Sequence, residues 1–130
     1  MIHEEICTYE VCKLAKEKGF NERTRYYYEA NCINPKAIEH CTGANCFNKY
    51  PKAVSAPTQA LLQRWLREER GIIVEVFVDD DSNMPLTYNI HQYKDWNWEC
   101  VCHHHGNYYA VNNWELCLED ALKYALENLV

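Results

Sequence analysis

An amphipathic helix that stops at a glycine and turns straight into an apolar strand restricts this chain more than any other feature. Between Ser55 and Arg70, the residues Leu61, Leu62, Trp65 and Leu66 fall on one face of a 3.6-residue period, with Gln63, Arg64, Arg67 and Glu68 opposite. Ser55 is a suitable N-cap, Pro57 suits the first turn and Gly71 ends the helix. Ile72–Val78 follows at once and contains only Glu75 as a charged residue. Such a run reads as an inner strand, with Ile73 and Phe77 beside Glu75 on the less buried face.

The remaining pattern adds to this unit. The spacing of Cys7, Val11, Leu14 and Ala15 predicts a helix over 8–18, closed by Gly19 with Phe20 folding back on its last turn. Three consecutive tyrosines, Tyr26–Tyr28, mark a strand over 24–32. Residues 33–54 form a long connection with turn-prone Asn34-Pro35, Thr42-Gly43 and Tyr50-Pro51, and a short strand is expected near Cys46–Tyr50. Residues 86–93 and 96–102 read as two further strands, with a fourth over 108–111 beyond a turn at Gly106-Asn107. Leu118, Ala121, Leu122, Ala125, Leu126 and Leu129 predict a last helix over 118–129, with Glu119 and Asp120 in its first turn. The expected class is α+β: a mostly antiparallel sheet of 3–5 strands with about three helices packed on one face, in a single domain spanning 1–130.

Charge narrows the partners. Residues 1–70 carry 11 Lys and Arg against 9 Asp and Glu, whereas residues 71–130 carry 2 against 10. An acidic half does not wrap a nucleic-acid backbone, which needs clustered cations, but it suits a basic protein surface. The seven aromatics between Tyr88 and Trp114 have only Lys94 among them as a base, so base stacking is disfavoured too. No apolar run approaches a membrane span and no secretory leader is apparent, which points to the cytoplasm.

Eight cysteines are many for 130 residues. In a reducing compartment they are buried thiols, metal ligands or redox groups. Cys7, Cys12 and Cys117 fall in or beside helices and read as packing residues. The sharpest chemical candidate is a structural zinc site drawn from two clusters, His40-Cys41 with Cys46, and Cys100-x-Cys102 with His103–His105. Cys41, Cys46, Cys102 and His104 would supply a tetrahedral set that also clamps the long connection. No Cys-x-x-Cys opens a helix, no glycine-rich phosphate loop is present, and the acidic run after Val78 lacks the glycine and the closing glutamate of a calcium loop.

The stretch Ser55-Ala56-Pro57-Thr58-Gln59-Ala60-Leu61-Leu62-Gln63-Arg64-Trp65-Leu66-Arg67-Glu68 resembles a group of small uncharacterised proteins from phages and prophages of Bacteroidetes. The opening of the last helix, Leu118-Glu119-Asp120-Ala121-Leu122, and the close of the first, Leu14–Phe20, add to the likeness. The three blocks cover about a third of the chain, and the cysteine- and histidine-rich segments lie outside them. The group has no assigned activity, so the resemblance implies a phage or mobile-element setting and carries over no catalytic residue.

Together these observations predict a small, non-enzymatic accessory protein that binds an unknown protein partner. Trp96, Trp98, Tyr108 and Tyr109 are the expected anchors, with Asp79–Asp81 as a charged rim. The alternative is a zinc-stabilised Cys/His domain in which the metal serves the fold. No other cofactor is implied.

Overall fold

The computed structural model describes residues 2–79, 86–108 and 113–130, with side chains left out for 103–108. It is an α+β protein: three α-helices and two three-stranded antiparallel sheets. The chain divides into two compact units, residues 1–62 and 63–130.

In the first unit, α1 (Tyr9–Glu17) packs beside a sheet of β1 (Tyr26–Glu29), β2 (Ile38–Glu39) and β3 (Ala53–Ala56), in the order β2-β1-β3. Thr8 caps α1 by accepting from the Val11 amide. The helix ends as its sequence predicts. Gly19 has φ 95°, its amide bonds the Lys16 carbonyl, and the Phe20 amide reaches back to the Ala15 carbonyl at 2.9 Å. Phe20 is thereby driven into the core, where Val11, Cys12, Ala15, Tyr28 and Val54 are also buried. The Tyr28 hydroxyl donates to the Cys7 carbonyl at 2.8 Å, which satisfies a polar atom that burial would otherwise strand.

The long connection is more ordered than its composition suggests. It supplies β2, a 3-10 turn (Phe47–Lys49) and β3. The strand expected near Cys46–Tyr50 therefore lies a few residues later, and the 3-10 turn occupies its place. Asn48 is the reason: its side chain accepts from the Ser55 amide, donates to the Phe20 carbonyl, and its own amide bonds the Ser55 hydroxyl. Ser55 is thus a buried strand residue. The cap of the next helix passes to Thr58, whose hydroxyl accepts from the Leu61 amide at 3.1 Å.

Helix α2 (Gln59–Arg70) runs from the first unit into the second. Leu62, Trp65 and Leu66 are buried, and the Arg64, Arg67 and Arg70 row is exposed. In the second unit, α3 (Trp114–Asn128) packs on a sheet of β4 (Ile72–Val78), β5 (Leu86–Lys94) and β6 (Asn97–Tyr108), in the order β4-β5-β6. Leu118, Ala121, Leu122, Ala125 and Leu126 form the buried stripe of α3. Ile72, Val74, Leu86, Tyr88 and Ile90 are buried, whereas Ile73 and Phe77 are half-buried and Glu75 is exposed. β6 continues through Gly106-Asn107, where the composition predicts a turn, and α3 begins earlier than 118.

Candidate functional site

Among the described residues of the second unit, the most exposed large hydrophobic side chain sits on a left-handed backbone. β5 and β6 pair antiparallel from Lys94↔Asn97 and are joined by Asp95 and Trp96 alone. Both joining residues have positive φ, 50° and 69°. Two left-handed residues are the signature of a type I′ hairpin turn, which matches the natural twist of the strands but favours Asn-Gly or Asp-Gly. Asp95 fits that preference. Trp96 does not, because a Cβ in the left-handed region meets the following carbonyl and costs about 1 kcal/mol or more. Its side chain is 89% exposed, so burial returns none of that cost.

Next to the turn, Tyr93 and Trp98 stand opposite each other in register. Their rings meet at 5.3 Å with a 55° interplanar angle. Such cross-strand aromatic pairs stiffen a hairpin end. Both rings stay about half in water. Asp95, Asn97 and Glu99 are exposed around them, as is Lys94. The tip therefore offers three aromatic surfaces on a short, braced turn, with two carboxylates beside them.

Two of the four expected anchors, Trp96 and Trp98, come together here. Tyr108 does not join them: its backbone pairs with Leu86, at the far end of the hairpin, about 26 Å along β5 at the usual strand rise. Its side chain and all of Tyr109 lie outside the described residues. Asp79 follows Val78, which is also opposite Leu86, so it cannot rim the turn; Asp80 and Asp81 lie outside the described residues. Tyr93 takes the missing place. The signal in the sequence was Asp95 at the first position of a two-residue turn, obscured by a tryptophan at the second.

The residues expected to hold zinc are divided between the two units. Cys41 and Cys46 belong to the first unit, Cys102 and His104 to the second. The Cys46 thiol contacts the Asn21 carbonyl at 3.1 Å, and Cys41 is exposed. His40 packs its ring on Phe47 at 5.2 Å, and its Nδ1 lies 2.9 Å from the Thr42 hydroxyl and 3.2 Å from the Gly43 carbonyl. These contacts, with Asn48 and Ser55, order the long connection. Among the described residues no three His, Cys, Asp or Glu side chains gather as a metal would need. The side chain of His104 lies outside them.

On β6 a register shift sets Cys100 opposite His91 and Cys102 opposite Ile90, with Val101 as the extra residue. His91 and Ile90 are neighbours on β5 and face opposite sides, so the shift breaks the shared face that plain alternation gives Cys100 and Cys102. Cys100 is exposed, whereas the Cys102 thiol meets the Tyr124 hydroxyl of α3. Burial raises the Cys102 thiol above its ordinary value, a rise opposed by the Tyr124 contact and increased by Cys100. Burial also lifts Cys117 to about 11, and raises the Tyr88 hydroxyl strongly, with Cys102 and Asp120 adding to the rise. A raised thiol is a poor nucleophile, so this cluster reads as core.

Among the described residues no helix is long and apolar enough to cross a membrane. Compared with protein-family models, curated proteins and solved structures, the chain matches none.

Proposed function

We propose that this chain is a non-enzymatic protein-binding module of phage or mobile-element type, and that it holds its partner by the tip of the β5–β6 hairpin. The observation that carries the reading is Trp96: a tryptophan at positive φ in a two-residue turn, 89% exposed. Strain of this kind is tolerated where the side chain is needed for something besides the fold. Tryptophan and tyrosine are the residues whose removal most weakens protein interfaces. Asp95 and Glu99, with the acidic balance of residues 71–130, favour a basic partner surface. The phage setting rests on the resemblance of the three helical blocks.

The Trp96→Gly variant tests this, because it improves the turn while removing the anchor. Partner capture from Bacteroidetes lysate is compared for wild type and W96G, and the captured protein is then purified and titrated. The expected result is a basic protein whose Kd rises at least tenfold for W96G, an ordinary hot-spot loss, while the variant is as stable as wild type or more so. Equal capture and equal Kd for the two proteins would overturn the reading. Trp98→Ala gives a second check: a folded variant with weakened binding supports an anchor, and global unfolding assigns Trp98 to the fold.

A further inference from the structure

The face of the second sheet turned away from α3 carries a thiol and an imidazole side by side. His91 of β5 stands opposite Cys100 of β6 in register, so both leave the sheet on one face with Cβ atoms about 5 Å apart. Ile90 and Cys102, of the other parity, point to the α3 side, where Ile90 is fully buried and Cys102 meets Tyr124. Cys100 is exposed and His91 half-buried. Ile73 of β4 stands opposite His91 on its other side, and the Tyr93–Trp98 pair closes the row toward the turn. The two donors therefore have apolar neighbours on two sides.

One polar atom in this patch lacks its partner. Asn89 lies two residues from His91 on the same face of β5, in a stretch that pairs regularly with β4. Its Oδ1 is buried and accepts no hydrogen bond among the described residues. Buried acceptors nearly always have a donor. A histidine that binds a metal through one ring nitrogen keeps a proton on the other and donates it to an acceptor of this kind. The orphaned oxygen and the imidazole complement each other once an ion fixes the ring.

The number of donors selects the ion. Zinc takes four thiolate or imidazole ligands, and this patch gives two. A thiolate with an imidazole is a soft donor set, and the soft cation that two donors in a line satisfy is Cu(I). We infer that Cys100 and His91 bind one Cu(I) between them, with Asn89 Oδ1 accepting the remaining N–H of His91. On binding, the Cys100 thiol gives its proton to solvent, the metal stays monovalent and no electron moves. The site does not use Trp96 and stands apart from the partner reading of the hairpin tip, so W96G should leave it intact.

The test titrates the full reduced chain with Cu(I), supplied as its acetonitrile complex without oxygen, against a bicinchoninate competitor. NMR shifts of backbone amides over 90–92 and 99–101 locate the ion, because Cu(I) is diamagnetic. Cys32 and Cys41 are exposed thiols too, so the variants are compared with both replaced by serine. In that background one Cu(I) per chain is expected, with shifts at these amides. Cys100→Ser should weaken binding by more than about a hundredfold, beyond the loss from removing a group that stands behind a ligand. Cys100 is exposed, so this variant keeps the fold, which circular dichroism checks. His91→Gln should weaken binding as strongly. Asn89→Ala should weaken it about tenfold, and should free the His91 N–H to exchange with water. Absence of shifts at these amides, an affinity unchanged in Cys100→Ser, or zinc held there more tightly than Cu(I) would each overturn the site. An Asn89→Ala variant with full affinity and a protected His91 N–H would overturn the role of Asn89.

Discussion

Trp96 and Cys117 are opposite extremes of how one residue meets its surroundings. Trp96 is held in a conformation that suits glycine and is given to solvent. W96G therefore relieves a left-handed Cβ, and the thermal midpoint should rise, with a gain of up to about 1 kcal/mol after the greater freedom of glycine in the unfolded chain is counted. A fall in the midpoint would mean that the indole supports the hairpin. Cys117 is fully buried, and its thiol is raised to about 11 from 9.0. The folded chain then keeps a proton that the unfolded chain releases. Its contribution to stability is complete below pH 9 and is lost as pH rises toward 11. The urea midpoint should fall across that window, and Cys117→Ala should make the fall shallower. Tyr88, Cys102 and Tyr124 are raised in the same direction and add to the fall. Under native conditions at neutral pH, iodoacetamide should label Cys32, Cys41 and Cys100 before Cys7, Cys12 and Cys117, as mass spectrometry of digests would report.

Elements in this chain are tied at their ends. Gly71 joins α2 to β4 at φ 64°, and its carbonyl accepts from the Tyr93 amide at 2.8 Å. A Cβ there would lie 3.4 Å from the Tyr93 Cβ. That is ordinary contact, so Gly71→Ala is opposed by its left-handed φ, and should cost about 1–2 kcal/mol by chemical denaturation. Gln63 strengthens the same corner by donating to the Val74 carbonyl at 3.3 Å. α3 depends on apolar packing instead. Leu122 is fully buried in its stripe, and Leu122→Ala should cost about 2–5 kcal/mol, the span for a leucine that leaves a cavity. The bulge at Val101 is an element-scale device of another kind. It turns Cys102 toward Tyr124 on α3 and leaves Cys100 in solvent.

At the scale of the molecule, the fold divides after Leu62 and the charge balance turns acidic a few residues later, after Arg70. Each compact unit contains a three-stranded antiparallel sheet with one helix packed against it, α1 in the first and α3 in the second. The basic residues fall mainly before Gly71 and the acidic excess after it. Association of the hairpin tip with a basic partner should accordingly weaken as salt rises, chiefly through a slower on-rate. Affinity unchanged between low and high salt would leave the aromatic rings as the whole of the attraction.

Local chemistry made part of this protein readable without coordinates. The periods of α2 and α3, the Gly19-Phe20 stop after α1, the alternation along β4 and the α+β class all follow from rules that act within a few residues, such as dihedral preference, capping and hydrophobic spacing. What those rules miss involves groups distant in sequence. Ser55 reads as a helix cap until Asn48 claims it for a strand. Cys100 and Cys102 share a face until a one-residue shift against β5 separates them. Tyr93 becomes a neighbour of Trp98, and Tyr108 does not, because strand register alone decides who stands opposite whom. Tyr28 and Val54 are plainly apolar in the sequence, but their meeting across β1 and β3 depends on a pairing that closes over more than twenty intervening residues, and that is set by the energy of the whole sheet.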